Sequence, residues 1–178
     1  MSVSRRYRYV GPAELRAAVQ PGHGGFRIRT AADFATWVTE RTAEELADPF
    51  TFVIDADGVL LLAPRRSEHV ACASGEPVLS AGEMSFQDDS GQWAVAGVSN
   101  QSTGYCPDTT SWPAVAPALD RAGLQHPAGF THEVVFRRCP ECQEHNIVRE
   151  EHYVCVFCDA DLPHNWNVDS TAADPGAS

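Results

Sequence analysis

The chain has 178 residues and a formal net charge of −11, with 43% hydrophobic residues, the proportion of an ordinary globular protein. All 13 of its basic residues are arginine. Without lysine, Schiff-base chemistry and a lysine-bearing phosphate loop are excluded, and no G-x-G-x-x-G element supports a Rossmann cofactor site.

Taken in chain order, residues 7–10 read as a short strand. Gly11-Pro12 then opens a helix running to about residue 19, with proline at its first position. Residues 26–29 form a second short strand. Thr30 is a natural cap for a helix reaching about residue 47, with Phe34, Trp37 and Val38 on one apolar stripe. Residues 50–54 and 59–63 flank Asp57-Gly58 and predict a hairpin. Residues 70–73 and 78–86 flank Gly75-Glu76-Pro77 and predict another, followed by a turn at 88–91 and a strand over 93–98. Ser111 caps a helix over 112–122, and Gly123 closes it. Residues 130–138 form a last strand. Together these elements predict an α+β fold, with helices packed on a curved antiparallel β-sheet and a C-terminal zinc-ribbon module. The body spans residues 1–129, the ribbon 130–167 and a disordered tail 168–178.

The ribbon rests on four cysteines. Cys139-Pro-Glu-Cys142 and Cys155-Val-Phe-Cys158 are separated by twelve residues. Two C-x-x-C elements at this spacing predict a tetrahedral zinc site, the intervening residues forming a hairpin that brings one pair to the other. Four thiolates leave no open position for water or substrate, so the zinc is read as structural. His145, His152 and His164 are spare donors beside a full ligand set. No apolar run is long enough to span a bilayer, and residues 1–10 are polar where a secretory signal would be apolar. A cytoplasmic setting is therefore expected, in which thiols stay reduced and metal is favoured over disulfides.

The charge is unevenly placed. Residues 1–29 hold six arginines and one glutamate; the rest hold seven arginines and 23 acidic groups. Within the ribbon Glu141, Glu144, Glu150, Glu151, Asp159 and Asp161 outnumber Arg137, Arg138 and Arg149. An acidic ribbon repels phosphates, so nucleic acid is an unlikely partner. The Arg5, Arg6 and Arg8 cluster reads as a solvated arm.

Two stretches of the middle section combine polar groups, glycines and an aromatic. One contains His69, Cys72, Gly75, Val78, Ala81, Gly82 and Glu83. The other contains Asn100, Ser102, Tyr105, Cys106 and Pro107. The order H-x(5)-G-x-x-V-x-x-A-G-E, followed by a serine, tyrosine and proline element, resembles a segment of plant IQ-motif calmodulin-binding proteins. It is also similar to domains of bacterial toxin-like and effector proteins. The resemblance covers about residues 50–123. The histidine that precedes the tyrosine in that pattern is Gly104 here.

Two functional readings follow. The first is a non-catalytic adaptor or regulator that binds another protein through the acidic ribbon face or the 102–107 loop. Trp166 is either a packing plug or a binding anchor for it. The second is a small hydrolase or group transferase with a site around His69, Glu83, Asn100, Ser102 and Tyr105. Cys106 with His69 or His132 would be its nucleophile pair, and Cys72, Cys106, His69 and His132 an alternative second metal set. The lack of a complete catalytic set places the adaptor first. The two differ in whether these side chains converge in one pocket or are consumed by internal hydrogen bonds.

Overall fold

The computed structural model describes residues 5–168, which fall into two compact units, Met1–Glu133 and Val134–Ser178. The tail expected to be disordered lies, from residue 169 onward, outside the described residues. No helix among the described residues is long and apolar enough to cross a membrane.

The first unit contains α1 (Ala13–Ala17), β1 (Phe26–Ile28), α2 (Ala31–Thr39), α3 (Ala43–Leu46), β2 (Phe50–Asp55), β3 (Leu60–Ala63), α4 (His69–Cys72), β4 (Val78–Asp89), β5 (Gln92–Val98) and α5 (Trp112–Arg121). Its five strands form one open antiparallel sheet in the order β1-β3-β2-β4-β5. Register shifts at Ile54/Asp55 and Ser85/Phe86 are bulges of the kind that bend a strand.

The pleat sorts the strands' side chains. Ile28, Phe52, Ile54, Leu60, Leu62 and Met84 join the main core with Phe34, Trp37 and Val38 of α2 and Val115, Ala118 and Leu119 of α5. Within it, the ring centroids of Trp37 and Phe50 lie 4.8 Å apart and those of Phe34 and Phe86 5.2 Å apart. Each fully buried side chain of this size contributes about 1.5–3 kcal/mol. Val53, Leu61 and Ala81 alternate with the core residues along their strands and are also buried; α4 packs against β2 and β3.

Several sequence expectations are corrected. Residues 70–73 are helix, not strand: the N–H groups of Cys72 and Ala73 bond back to the carbonyls of Glu68 and His69. A short apolar run does not reveal its period, and β4, its expected partner, pairs with β2 and β5 instead. The helix expected over 30–47 is two helices. Thr30 and Thr42 each form a capping box, with Asp33 and Glu45 respectively, so a second start signal interrupts the first helix. Residues 7–10 contribute only the bridge of Tyr7 to Val78. Pro12 is the cap of α1 rather than its first residue. The Ser111 hydroxyl makes no cap bond and instead meets Ser80 Oγ at 2.9 Å, while the Asp108 carboxylate accepts from Thr109 N–H. Gly123 does close α5: at φ +70 its N–H bonds Asp120 O, and Leu124 N–H bonds Leu119 O.

The last expected strand begins late. Residues 130–133 belong with the first unit, where Thr131 N–H bonds Val98 O and Ser99 bridges His132. This segment and Gln125, which accepts from Val95 N–H, run along the outer edge of β5. The second unit holds β6 (Val135–Arg138) paired antiparallel with β7 (His145–Val148).

Thr42→Ala removes the cap that restarts the chain at α3 and is expected to cost about 1 kcal/mol. Thr39→Ala, on an exposed helix end, should stay within about 0.5 kcal/mol of the parent. Urea unfolding of the two variants checks the difference.

Candidate functional site

The four cysteines of the two C-x-x-C elements converge. Their sulfurs all lie within 4.8 Å of one another, with Cys139 and Cys158 at 3.5 Å and Cys142 and Cys155 at 3.6 Å. A disulfide would require about 2.05 Å. Metal–sulfur bonds of about 2.3 Å place tetrahedral sulfurs about 3.8 Å apart, so the spacing fits four thiolates around one ion. His145, His152 and His164 are exposed and stand outside this cluster.

The two C-x-x-C elements have the same backbone. Cys139 N–H bonds Glu144 O and Cys155 N–H bonds Ala160 O, each five residues on. Gln143 and Asp159 N–H return to the carbonyls of Cys139 and Cys155, each four residues back, at φ +68 and +64. The chain thus contains a short structural repeat with little sequence behind it beyond the cysteines. N–H groups also face the sulfurs: Cys142 N–H meets Cys139 Sγ at 3.5 Å, and Phe157 N–H and Asn146 Nδ2 meet Cys155 Sγ at 3.4 Å. Burial alone would raise the Cys155 thiol, but the hydrogen bonds from Asn146, Phe157 and Cys158 bring it down to about 6. At Cys142 a hydrogen bond with the Glu144 backbone favours the thiolate, yet burial and the three thiol neighbours push it up to about 12. Four thiols held together in this way oppose full ionisation until a cation neutralises them.

A clamp outside the sulfurs holds the end of the unit. Arg137 is buried and donates to the carbonyls of Phe136, Pro163 and His164, with its guanidinium 5.6 Å from the Tyr153 ring centroid. Tyr153 stacks on His164 at 4.2 Å. Asn167 binds both the N–H and the carbonyl of Arg138. The sequence did not assign these roles, which rest on the side-chain bonds of Arg137 and Asn167 between β6 and residues 163–167. Trp166 is half-buried.

The five candidate catalytic residues are placed differently. His69 Nε2 donates to Gly82 O at 2.8 Å, and burial holds its imidazole below the usual histidine value. Asn100 is fully buried and donates to Pro107 O at 2.9 Å. Ser102 Oγ accepts from Tyr105 N–H, and the Tyr105 hydroxyl donates to Glu76 O at 2.7 Å. Burial pushes the Tyr105 hydroxyl and the Cys106 thiol well up, the latter to about 12. Cys106 donates to Thr103 O. Cys72 is likewise buried, with its thiol pushed up to about 12. Neither cysteine joins a metal-ligand cluster among the described residues. Glu83 is exposed and lines a cleft of about 240 Å³ with Ser99, Gln101 and His132. Four of the five thus bind backbone, while Glu83 faces the cleft, near enough for its carboxylate to act on the His69 imidazole.

The A-G-E element has a steric cause. A Cβ at Gly82 would lie 1.9 Å from Ser99 O and 3.0 Å from Asn100 Cα, so β4 passes this backbone only as glycine. Gly75, at φ +80, ends α4 in open space. Val78 and Ala81 are fully buried. Most of the residues that carry the resemblance therefore hold the fold, Glu83 being the exposed exception.

Gly82→Ala is expected to cost about 3 kcal/mol or more, because backbone on both sides must shift. Gly75→Ala should cost about 1 kcal/mol, since only its φ is affected. Because the folded His69 value is depressed, its contribution is present above about pH 6.5 and lost as pH falls toward the folded value. His69→Gln should flatten that part of the stability–pH curve, measured by denaturation at a series of pH values.

No family model matches this chain, and no curated protein or solved structure is significantly similar to it, so the likeness to IQ-motif and toxin-like segments has no match behind it.

Proposed function

We propose that this is a non-catalytic protein-interaction module, an adaptor or regulator, whose C-terminal unit is a zinc ribbon with a structural ion on Cys139, Cys142, Cys155 and Cys158. The observation that carries the reading is the tip of the second knuckle. Val156 and Phe157 are 73% and 63% exposed, although their N–H groups are fixed on Asn146 Oδ1 and Cys155 Sγ. Rigid, solvent-facing apolar side chains contribute nothing to their own unit and are suited to a partner.

The surroundings narrow the partner. Among the described residues the unit has six carboxylates against three arginines, of which Arg137 is buried on carbonyls, and a four-thiolate ion adds about two negative charges. A protein surface combining basic and apolar groups fits this tip; nucleic acid does not. The 102–107 loop, the other surface considered for docking, is a poor candidate because Ser102, Tyr105 and Cys106 are buried. Thiolate ligation suits a reducing compartment such as the cytoplasm.

Elemental analysis of protein purified without metal-affinity steps should find one zinc per chain. Iron would announce itself by thiolate charge-transfer colour, and no metal at all would remove the ribbon reading. Cys158→Ser should lose the ion and unfold residues 134–168, seen as loss of amide protection there. For the interaction, a photo-crosslinking residue at position 157 should yield a discrete protein adduct in cells, lost in the Cys158→Ser background. Adducts no stronger than those from exposed position 87 would sink the adaptor reading.

A further inference from the structure

We propose that the first unit carries a binding site for a small uncharged aromatic molecule, in the cleft beside β1. Phe26 and Leu62 are register partners and so point to the same face of the sheet, the face that bears the main core. α2 stops at Thr39, and the Thr42 capping box restarts the chain as α3. Trp37 therefore closes the core, but Phe26 is left 42% exposed, the one large hydrophobic residue so exposed in this unit among the described residues.

The result is a cleft of about 300 Å³, at the small end of ligand-site volumes. Buried Trp37, Phe50 and Leu62 contribute apolar wall, with Phe26 and Ala71 also lining it. Part of the wall is bare backbone, because a Cβ at Gly25 would come within 2.7 Å of Cys72 Sγ.

The charges decide the ligand class. Arg41 lies over Trp37 with its guanidinium 5.4 Å from the ring centroid, and its Nε donates to Trp37 O. Its terminal nitrogens face Glu40 at 3.6 Å and Glu45 at 3.5 Å. An anion would have to displace Glu40 or Glu45 from Arg41, and among the described residues no carboxylate lines the cleft to receive a cation. A neutral aromatic ring needs neither. It gains the exposed ring of Phe26 for stacking, against an apolar wall from buried Trp37, Phe50 and Leu62.

The test compares two dyes with one framework, neutral N-phenyl-1-naphthylamine and its sulfonated relative 8-anilinonaphthalene-1-sulfonate, on the full-length protein. The neutral dye should bind saturably, one per chain, with emission excited through tryptophan. The sulfonate should bind about tenfold more weakly or less. Phe26→Ala should weaken the neutral dye about tenfold, and Ala71→Phe, which fills the cleft, should abolish binding. Val156→Ser with Phe157→Ser should leave it unchanged. Absence of saturation, equal affinity for the sulfonate, or loss only in the Val156/Phe157 variant would overturn the proposal. Amide NMR on the unaltered chain gives an independent readout. Dye-dependent shifts should centre on Gly24, Gly25 and Ala63, and shifts confined elsewhere would count against the site.

Discussion

At Gly82 the longest strand of the protein passes the Ser99–Asn100 backbone with no room for a single carbon atom between them. That approach organises the first unit. It lets β4 pair with β2 on one side and β5 on the other, and it turns the Gly82 carbonyl to His69. Ser99, on the far side, bonds the N–H groups of Glu83 and Gln101 through its hydroxyl and then bridges to His132. The 99–107 loop starts from there and is locked by Asn100, Ser102 and Tyr105, each bonding backbone. Buried polar groups tied in this way favour one conformation, because any loosening leaves a donor or acceptor without water.

The second unit solves a different problem. It has few apolar side chains to bury: the cluster of Cys139, Cys155, Val148 and Leu162 with a fringe of half-buried neighbours, and Val134, Phe136 and Val168 besides. A core of that size does not stabilise a fold without a staple, and four thiols around an ion are such a staple. The matching backbone of the two knuckles follows from the same demand. Each must aim two sulfurs at one point, and a residue in the left-handed region, Gln143 or Asp159, closes the turn in both. Arg137 and Asn167 then hold the returning chain against β6, so the unit extends well past its last cysteine.

These constraints separate residues that hold the fold from surfaces left available. The polar residues that looked chemical in the sequence are mostly consumed by the fold. Among the surfaces the fold leaves open are the Val156-Phe157 tip, the cleft beside Phe26 and the cleft lined by Glu83 and His132.

Spacing alone determined the four-thiol cluster, because C-x-x-C pairs leave a ligand geometry few other uses. The Asp57-Gly58 hairpin, the Thr30 cap and the Gly123 stop were likewise legible, each being a local rule obeyed by adjacent residues. Even the break at Thr42 was written as a threonine three residues before Glu45. Other features needed the tertiary structure. The 70–73 run, expected to pair with β4, is helical where β2, from a more distant part of the chain, and β5 pair with β4 instead. Whether Gly82 served chemistry or close packing depended on Ser99, a residue seventeen positions away, and the duty of Arg137 on carbonyls beyond residue 160. Local pattern specifies the turns and ligand pairs within its own reach. Contacts between distant segments decide which polar residues remain available for function.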